Sequence, residues 1–191
     1  MILAVDRTPY SAEWLARWRD GLTSALTSLL PAFAQTYGYE PGTNEVRAAN
    51  DEDLRALRAL RGRAAGPALC EALLTFYESI SVVTLPDVGN GHFIHPAHDV
   101  LHDLAESGAV FLSEARNPHG TVFASNGGGL LYAIDSHGAV HRSDSASWHS
   151  DFSKIADDMP HFLEQLRSHV ASFAKPNSSP PAPEADLEQA R

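Results

Sequence analysis

The residues most capable of chemistry are four histidines that lie within eleven residues: His92, His95, His98 and His102. His98 and His102 are four residues apart on a predicted helix, so both imidazoles face the same side and could bind one zinc ion. The segment lacks the glutamate of a zincin helix and contains no cysteine, and His92 falls in a predicted strand. Two interpretations stay open: a metal site that serves a metal-dependent hydrolase, and histidines that face solvent or form hydrogen bonds.

A second segment, the glycine-rich residues 125–129, could present backbone N–H groups to an anion. A phosphate-binding loop needs a following Lys-Ser/Thr pair and a helix, whereas here Leu130 begins a predicted strand. The segment is therefore predicted to be a tight turn, whose bare backbone another segment can approach closely.

The other reactive side chains form no recognisable catalytic pattern. No serine lies in a Gly-x-Ser-x-Gly motif, and Cys70 lies in an apolar helical segment, where a free thiol packs as a small hydrophobe. Asp157 and Asp158 are adjacent and would diverge on a helix, so they are predicted to stabilise its N-terminus. We assign no catalytic, cofactor-binding or metal-binding residue and predict that the protein is not an enzyme.

The charge of the chain restricts its partners. It contains 24 acidic and 14 basic residues, for a formal net charge of −10. This charge repels phosphate backbones and anionic membrane surfaces, because affinity for both grows with contacts from lysine and arginine. We therefore predict no nucleic-acid partner and no membrane partner. The acidity either serves solubility or complements the surface of a basic protein.

Length and composition indicate a cytoplasmic protein with one main domain. The 191 residues suffice for a single core, and 43% apolar with 20% charged residues is typical of globular proteins. No apolar run approaches the roughly 20 residues that a bilayer requires, and the N-terminus does not resemble a secretory signal. The single cysteine excludes an intramolecular disulfide and fits a reducing compartment.

The first elements predicted to position these residues are helices. Apolar residues at three- and four-residue steps, together with capping residues, predict helices over 11–30, 51–62, 67–80, 96–108 and 158–173. Ser11 is the predicted N-cap of the first helix, Asn50 or Asp51 that of the second, and Asp158 that of the last. Pro67 and Gly108 mark a helix start and a helix end.

Short strands are predicted in the middle of the chain, over 81–85, 92–94, 109–112 or 121–124, 130–134 and 139–142. Asn90-Gly91 between the first two strands favours a tight turn. The connections 125–129 and 135–138 carry turn residues and are too short for the crossover that parallel strands require. The strands are therefore predicted to be antiparallel.

Four regions complete the prediction. Residues 37–50 lose their periodicity and are predicted to form a connecting loop. Apolar residues at Phe152, Ile155, Ala156 and Met159 suggest a helical turn ahead of the last helix. Trp14, Trp18 and Trp148 are predicted to be packing residues, and of the three Trp148, beside His149, is the best candidate for exposure at an interface. The Pro/Ser-rich acidic tail 175–191 is predicted to be disordered.

Roughly residues 51–173 resemble the SUKH superfamily, which includes cell-wall assembly regulators and many bacterial immunity proteins. The resemblance rests on Leu85-Pro86-Asp87, Asn90-Gly91, Phe93-Ile94 and the glycines from Gly127 to Gly129. These motifs mark turns and core positions.

The resemblance implies an α+β domain with a mostly antiparallel sheet flanked by helices, and a role in binding another protein. We therefore divide the chain into an N-terminal helical extension and loop (1–50), a SUKH-like domain (51–174) and the tail (175–191). The predicted function is a non-catalytic protein-binding module, an immunity-type protein that neutralises a cognate, basic toxin. The alternatives are the metal-dependent hydrolase described above and a regulatory scaffold without a toxin partner. The oligomeric state is left open.

Overall fold

The structure, a computed structural model, describes residues 10–63 and 70–174, without the side chains of residues 60–63. The helices are α1 (Ala12–Leu29), α2 (Phe33–Tyr37), α3 (Asp51–Arg63), α4 (Glu71–Ser79), α5 (Ala97–Ser107) and α6 (Met159–Phe173). The strands are β1 (Glu45–Ala48), β2 (Ile80–Leu85), β3 (His92–Ile94), β4 (Val110–Phe111), β5 (His119–Asn126), β6 (Leu131–Asp135), β7 (Val140–Ser143) and β8 (Phe152–Ala156). A 3-10 turn (Leu30–Ala32) joins α1 to α2.

The strands form a single sheet in the order β1-β2-β3-β5-β6-β7-β8, and β4 pairs with the start of β5. Every pairing is antiparallel, as in the register Thr84 to Phe93 to Ser125 across β2, β3 and β5. The predicted α+β fold with an antiparallel sheet flanked by helices is confirmed.

Two tight turns meet at one end of this sheet. Gly91 in the β2–β3 turn has φ +77° and Gly129 after β5 has φ +83°, a conformation that favours glycine. Between them the Gly127 N–H donates to the Asn90 carbonyl at 2.6 Å. A Cβ atom at Gly127 would collide with that carbonyl oxygen. The glycine-rich segment thus forms the predicted turn, and the backbone that approaches it is that of Asn90.

Helix α1 belongs to the main core. Its N-cap is Ser11, as predicted, whose Oγ accepts a hydrogen bond from the Trp14 N–H at 3.3 Å. The Trp18 Nε1–H donates to the Leu163 carbonyl at 2.8 Å, which ties α1 to α6. Its buried side chains are Leu15, Trp18, Leu22, Leu26 and Leu29, and they join the same cluster as the sheet and the other helices.

Strand β1 also lies before residue 51, within the segment 37–50 that was predicted to be a loop, and it pairs with β2. Residues 10–50 are thus joined to the sheet by β1 and to the core by α1. The division of the chain at residue 50 stays a prediction.

A smaller hydrophobic cluster covers the opposite face of the sheet. In β6, Ala133 lies between Tyr132 and Ile134, which belong to the main core, so it points to the other face. It packs there with Val110, Leu112, Val122 and Phe152, and Trp148 covers the cluster. The sheet therefore has apolar contacts on both faces.

The helical turn predicted ahead of the last helix is also wrong. The residues Phe152, Ile155 and Ala156 form strand β8 and not a helical turn. Phe152 and Ala156 are both buried but on opposite faces of the sheet, since Phe152 belongs to the smaller cluster and Ala156 to the main core. The register between β7 and β8 shifts at Ile155, so the apolar spacing that suggested a helical turn comes from an irregular strand. Met159 instead begins α6, after its predicted N-cap Asp158.

Helices α3, α5 and α6 follow the prediction, whereas α4 begins only at Glu71, after an extended Cys70 that was predicted to be helical, and α2 was not predicted. The Asn50 Oδ1 caps α3 by accepting from the N–H groups of Glu52 and Asp53 at 2.9 and 3.1 Å. Gly108 ends α5. The predicted helix start at Pro67 and the tail 175–191 lie outside the described residues. Among the helices described, none has the length and apolar character needed to cross a bilayer.

Candidate functional site

The four histidines of the sequence cluster separate in space. His98 and His102 are exposed on α5, and the His98 Nε2 lies 3.2 Å from an Asp99 Oδ1. His95 precedes α5, and its carbonyl accepts a hydrogen bond from the buried Tyr77 hydroxyl at 2.7 Å. Over residues 10–63 and 70–174, no group of three or more His, Cys, Asp or Glu side chains could hold a metal ion. The proposed zinc interpretation therefore has no third ligand in the described part of the chain.

His92 instead lines a small cavity between the sheet and α6. The cavity is about 10 Å³ in volume, close to the minimum that holds one water molecule. It is lined by His92, Phe93 and Ile94 of β3, Ala124 and Ser125 of β5, Tyr132 of β6, and Phe162, Leu166 and His169 of α6. Such a volume does not admit a metabolite-sized substrate.

The imidazole of His92 is held in its neutral form. Its Nε2 is buried and has no hydrogen-bond partner. Its ring lies edge-to-face on that of His169, with centroids 5.0 Å apart and an interplanar angle of 83°. Burial lowers the pKa of His92 from 6.5 to about 4, and the positive charge that His169 can carry lowers it further in the same direction. His92 is therefore uncharged at neutral pH.

The partnership between His92 and His169 was not predicted. His169 lies one helical turn after Leu166 and one turn before Phe173, on the apolar stripe of α6. A polar residue at a stripe position was the signal in the sequence. What the sequence could not supply was its partner, because that contact depends on how α6 crosses β3.

A second buried histidine lies in β7. The His141 Nε2 is 3.5 Å from the Asp135 Oδ2, and both side chains are buried. The other carboxylate oxygen of Asp135 accepts the N–H groups of His137 and Ala139 at 2.8 and 3.0 Å. Asp135 thus closes the β6–β7 turn, and the pair has a structural role that sequence reasoning did not identify.

The single thiol is poorly placed for catalysis. Cys70 is the N-cap residue of α4, is 5% exposed and forms no disulfide. Burial raises the pKa of Cys70, and the negative charge of Asp135 raises it further. The thiol therefore stays protonated, and a protonated thiol is a weak nucleophile.

The amide groups of the glycine-rich turn are already used. The Asn126 Oδ1 accepts hydrogen bonds from the N–H groups of Gly128 and Leu130 at 3.0 and 2.9 Å. With the Gly127 N–H bound to Asn90, this turn offers few free donors to an anion. The prediction of a tight turn is confirmed.

The adjacent acids and Trp148 have structural contacts. The Asp158 Oδ1 accepts from the His161 N–H at 2.8 Å at the start of α6, and Asp157 pairs with Lys154 at 2.8 Å. Trp148 is half-buried against the smaller cluster, and its role at an interface stays a prediction.

Comparison of the chain with known protein families, with curated proteins and with solved structures finds no match. The resemblance to the SUKH superfamily therefore rests on the turn and core motifs alone. Function has to be argued from charge, burial and geometry.

Proposed function

We propose that this chain is a SUKH-like, non-catalytic protein-binding module that acts in the cytoplasm as an immunity-type protein. Its partner would be a basic toxin domain, which it neutralises by binding.

The distribution of charge is the observation that carries this proposal. Residues 71–174 contain 13 acidic and four basic residues, whereas residues 1–70 contain eight of each. Two of those four bases are paired with acids on their own surface: Lys154 with Asp157, and Arg167 with Glu164. The acidity is thus concentrated on β2–β8 and α4–α6, which suits a surface that attracts a basic protein.

Helix α5 is the best candidate for the contact within this acidic part. It carries Asp99, Asp103 and Glu106 and contains no lysine or arginine. Asp99 and Glu106 are exposed, and Asp103 is half-buried. Cations on a partner would therefore meet acids that have no competing lysine or arginine on the same helix.

The state of the reactive groups supports binding over catalysis. The thiol of Cys70 is buried and protonated, and the cavity beside His92 has room for about one water molecule. Asp135 and Asp158 are engaged by backbone N–H groups. These contacts favour a protein whose surface, and not an internal pocket, carries the function.

The test uses the toxin domain encoded beside this gene and measures its dissociation constant by calorimetry at increasing salt. We expect Asp103→Asn/Glu106→Gln to weaken binding about tenfold at low salt. The matched control, Glu13→Gln/Asp20→Asn, removes two acids from α1 in the charge-balanced part of the chain and should change binding less than about twofold.

Equal effects of the two double variants, or an affinity that does not respond to salt, would contradict the proposed acidic docking face. A neighbouring gene that encodes no toxin, with no binding to co-encoded proteins, would instead favour the regulatory scaffold.

A further inference from the structure

The last turn of α6 is held in place by the fully buried Val170 and by a contact between two imidazoles. His169 of α6 packs edge-to-face on His92 of β3, and Phe173 packs on His169 with ring centroids 5.0 Å apart. Gly89 lies beneath His169, since a Cβ atom there would come within 2.8 Å of the His169 Nε2. The end of α6 therefore fits closely against both β3 and the β2–β3 turn.

The described residues that line the cavity beside His92 offer no anion to a protonated ring. The titratable side chains that line its cavity are His169 of α6 and Tyr132 of β6, and no carboxylate lines it. Burial raises the pKa of Tyr132 to about 12, so this phenol stays neutral, and Arg142 beside it is a cation. The acid of the β2–β3 turn, Asp87, already accepts hydrogen bonds from the Gly42 N–H and the Asn44 amide.

We propose that His92 and His169 form an acid-sensitive clasp, whose protonation releases the C-terminal turn of α6 from the sheet while the rest of the fold persists. A charged His92 would place an imidazolium N–H in a cavity that no described carboxylate lines, where its Nε2 makes no hydrogen bond, next to a second ring that also gains protons in acid. Burying a charge without a partner is strongly unfavourable.

The release stays local because the first half of α6 has other anchors. Asp158 caps its first turn, the Leu163 carbonyl accepts from the Trp18 indole, and the Gln165 amide donates to the Ile155 carbonyl at 3.2 Å. All three contacts precede His169 along the helix. The Gln165 Nε2 also lies 3.1 Å from the His161 Nε2, so the variant that replaces His161 shows whether this imidazole contributes to an acid response.

The sign and size of the pH effect on clasp opening follow from the lowered pKa of His92. Its pKa is about 4 in the closed clasp and returns to 6.5 on release, so the open form binds more protons between these values. The closed clasp therefore loses stability as the pH falls from 6.5 towards 4. Between neutral pH and about pH 4.5 the opening equilibrium should rise about 50-fold.

Amide hydrogen exchange of the full chain at these two pH values tests the clasp. After correction for intrinsic exchange rates, protection of residues 167–173 should fall by about that factor, while β5, β6 and β7 keep theirs. His92→Phe keeps a ring in the cavity and cannot be protonated. In this variant the loss of protection of residues 167–173 between the two pH values should shrink to less than about fivefold. His161→Gln, on the exposed first turn of the same helix, is the control and should respond like the wild type.

An acid response that survives His92→Phe, or a loss of protection in β5–β7 at the same pH as in α6, would overturn the clasp. Should His92→Phe fail to fold, carbon-13 shifts of the His92 ring in the wild type decide the matter. A midpoint at or above 6 contradicts the clasp, and a midpoint well below 6 that coincides with loss of α6 protection supports it. The clasp does not depend on the proposed partner.

Discussion

Among the described glycines, Gly127 is the one whose neighbours leave the least room for an added Cβ atom. Its N–H is bonded to the Asn90 carbonyl, and a Cβ atom would collide with that oxygen. We expect Gly127→Ala to lower the free energy of unfolding by about 2–4 kcal/mol, from steric overlap and the lost hydrogen bond. Urea denaturation measures the change.

Gly128→Ala is the matched control for that substitution. A Cβ atom at Gly128 would lie 3.3 Å from the Asn126 Oδ1, a tight contact but not a collision. The expected loss is below about 1 kcal/mol. Equal losses for the two variants would mean that the contact between the turns is not what restricts Gly127.

The candidate sites show which residues a sequence can place. The i, i+4 spacing put His98 and His102 on one face of a helix, and both lie exposed on α5. The same reasoning could not pair His92 with His169, or His141 with Asp135, because tertiary packing brings those side chains together. Local spacing predicts neighbours within an element and says little about neighbours across the core.

At the scale of elements, the start of α6 gives a direct test of helix capping. Asp158→Ala removes the carboxylate that accepts the His161 N–H and should destabilise the protein by about 1 kcal/mol. Asp157→Ala removes an exposed ion pair with Lys154 and should cost less than about 0.5 kcal/mol. Thermal unfolding of both variants gives the comparison, and a larger loss for Asp157→Ala would contradict the capping role.

The elements that the sequence identified are those with strong local signals. Asn90-Gly91 marked the β2–β3 turn, and the apolar stripes of α1 and α6 marked long helices. Strands β1 and β8 were missed, and both lie at the edges of the sheet. Each is short and half-exposed, so its residues do not alternate strictly between apolar and polar, and its structure is set by pairing with β2 or β7.

At the scale of the whole molecule, charge and packing divide the chain differently. The acidic residues are concentrated after residue 70, whereas the main hydrophobic core extends from α1 to α6. The charge-balanced N-terminal part therefore contributes to the same core as the acidic part after residue 70. A partner attracted by those acidic residues would bind a unit that includes α1.

This arrangement predicts the effect of truncating the chain at either end. Removing residues 1–50 deletes β1 and the buried face of α1, which contributes Leu15, Trp18, Leu22, Leu26 and Leu29 to the core. At about 2 kcal/mol for each buried side chain the loss is about 10 kcal/mol, as large as the whole stability of a typical domain. We expect residues 51–191 alone to lack a cooperative urea transition and near-ultraviolet circular dichroism. Removing residues 175–191, which are predicted to be disordered, should leave the unfolding midpoint unchanged. A stable, cooperatively folded 51–191 fragment would show that α1 is an accessory extension and not part of the folding unit.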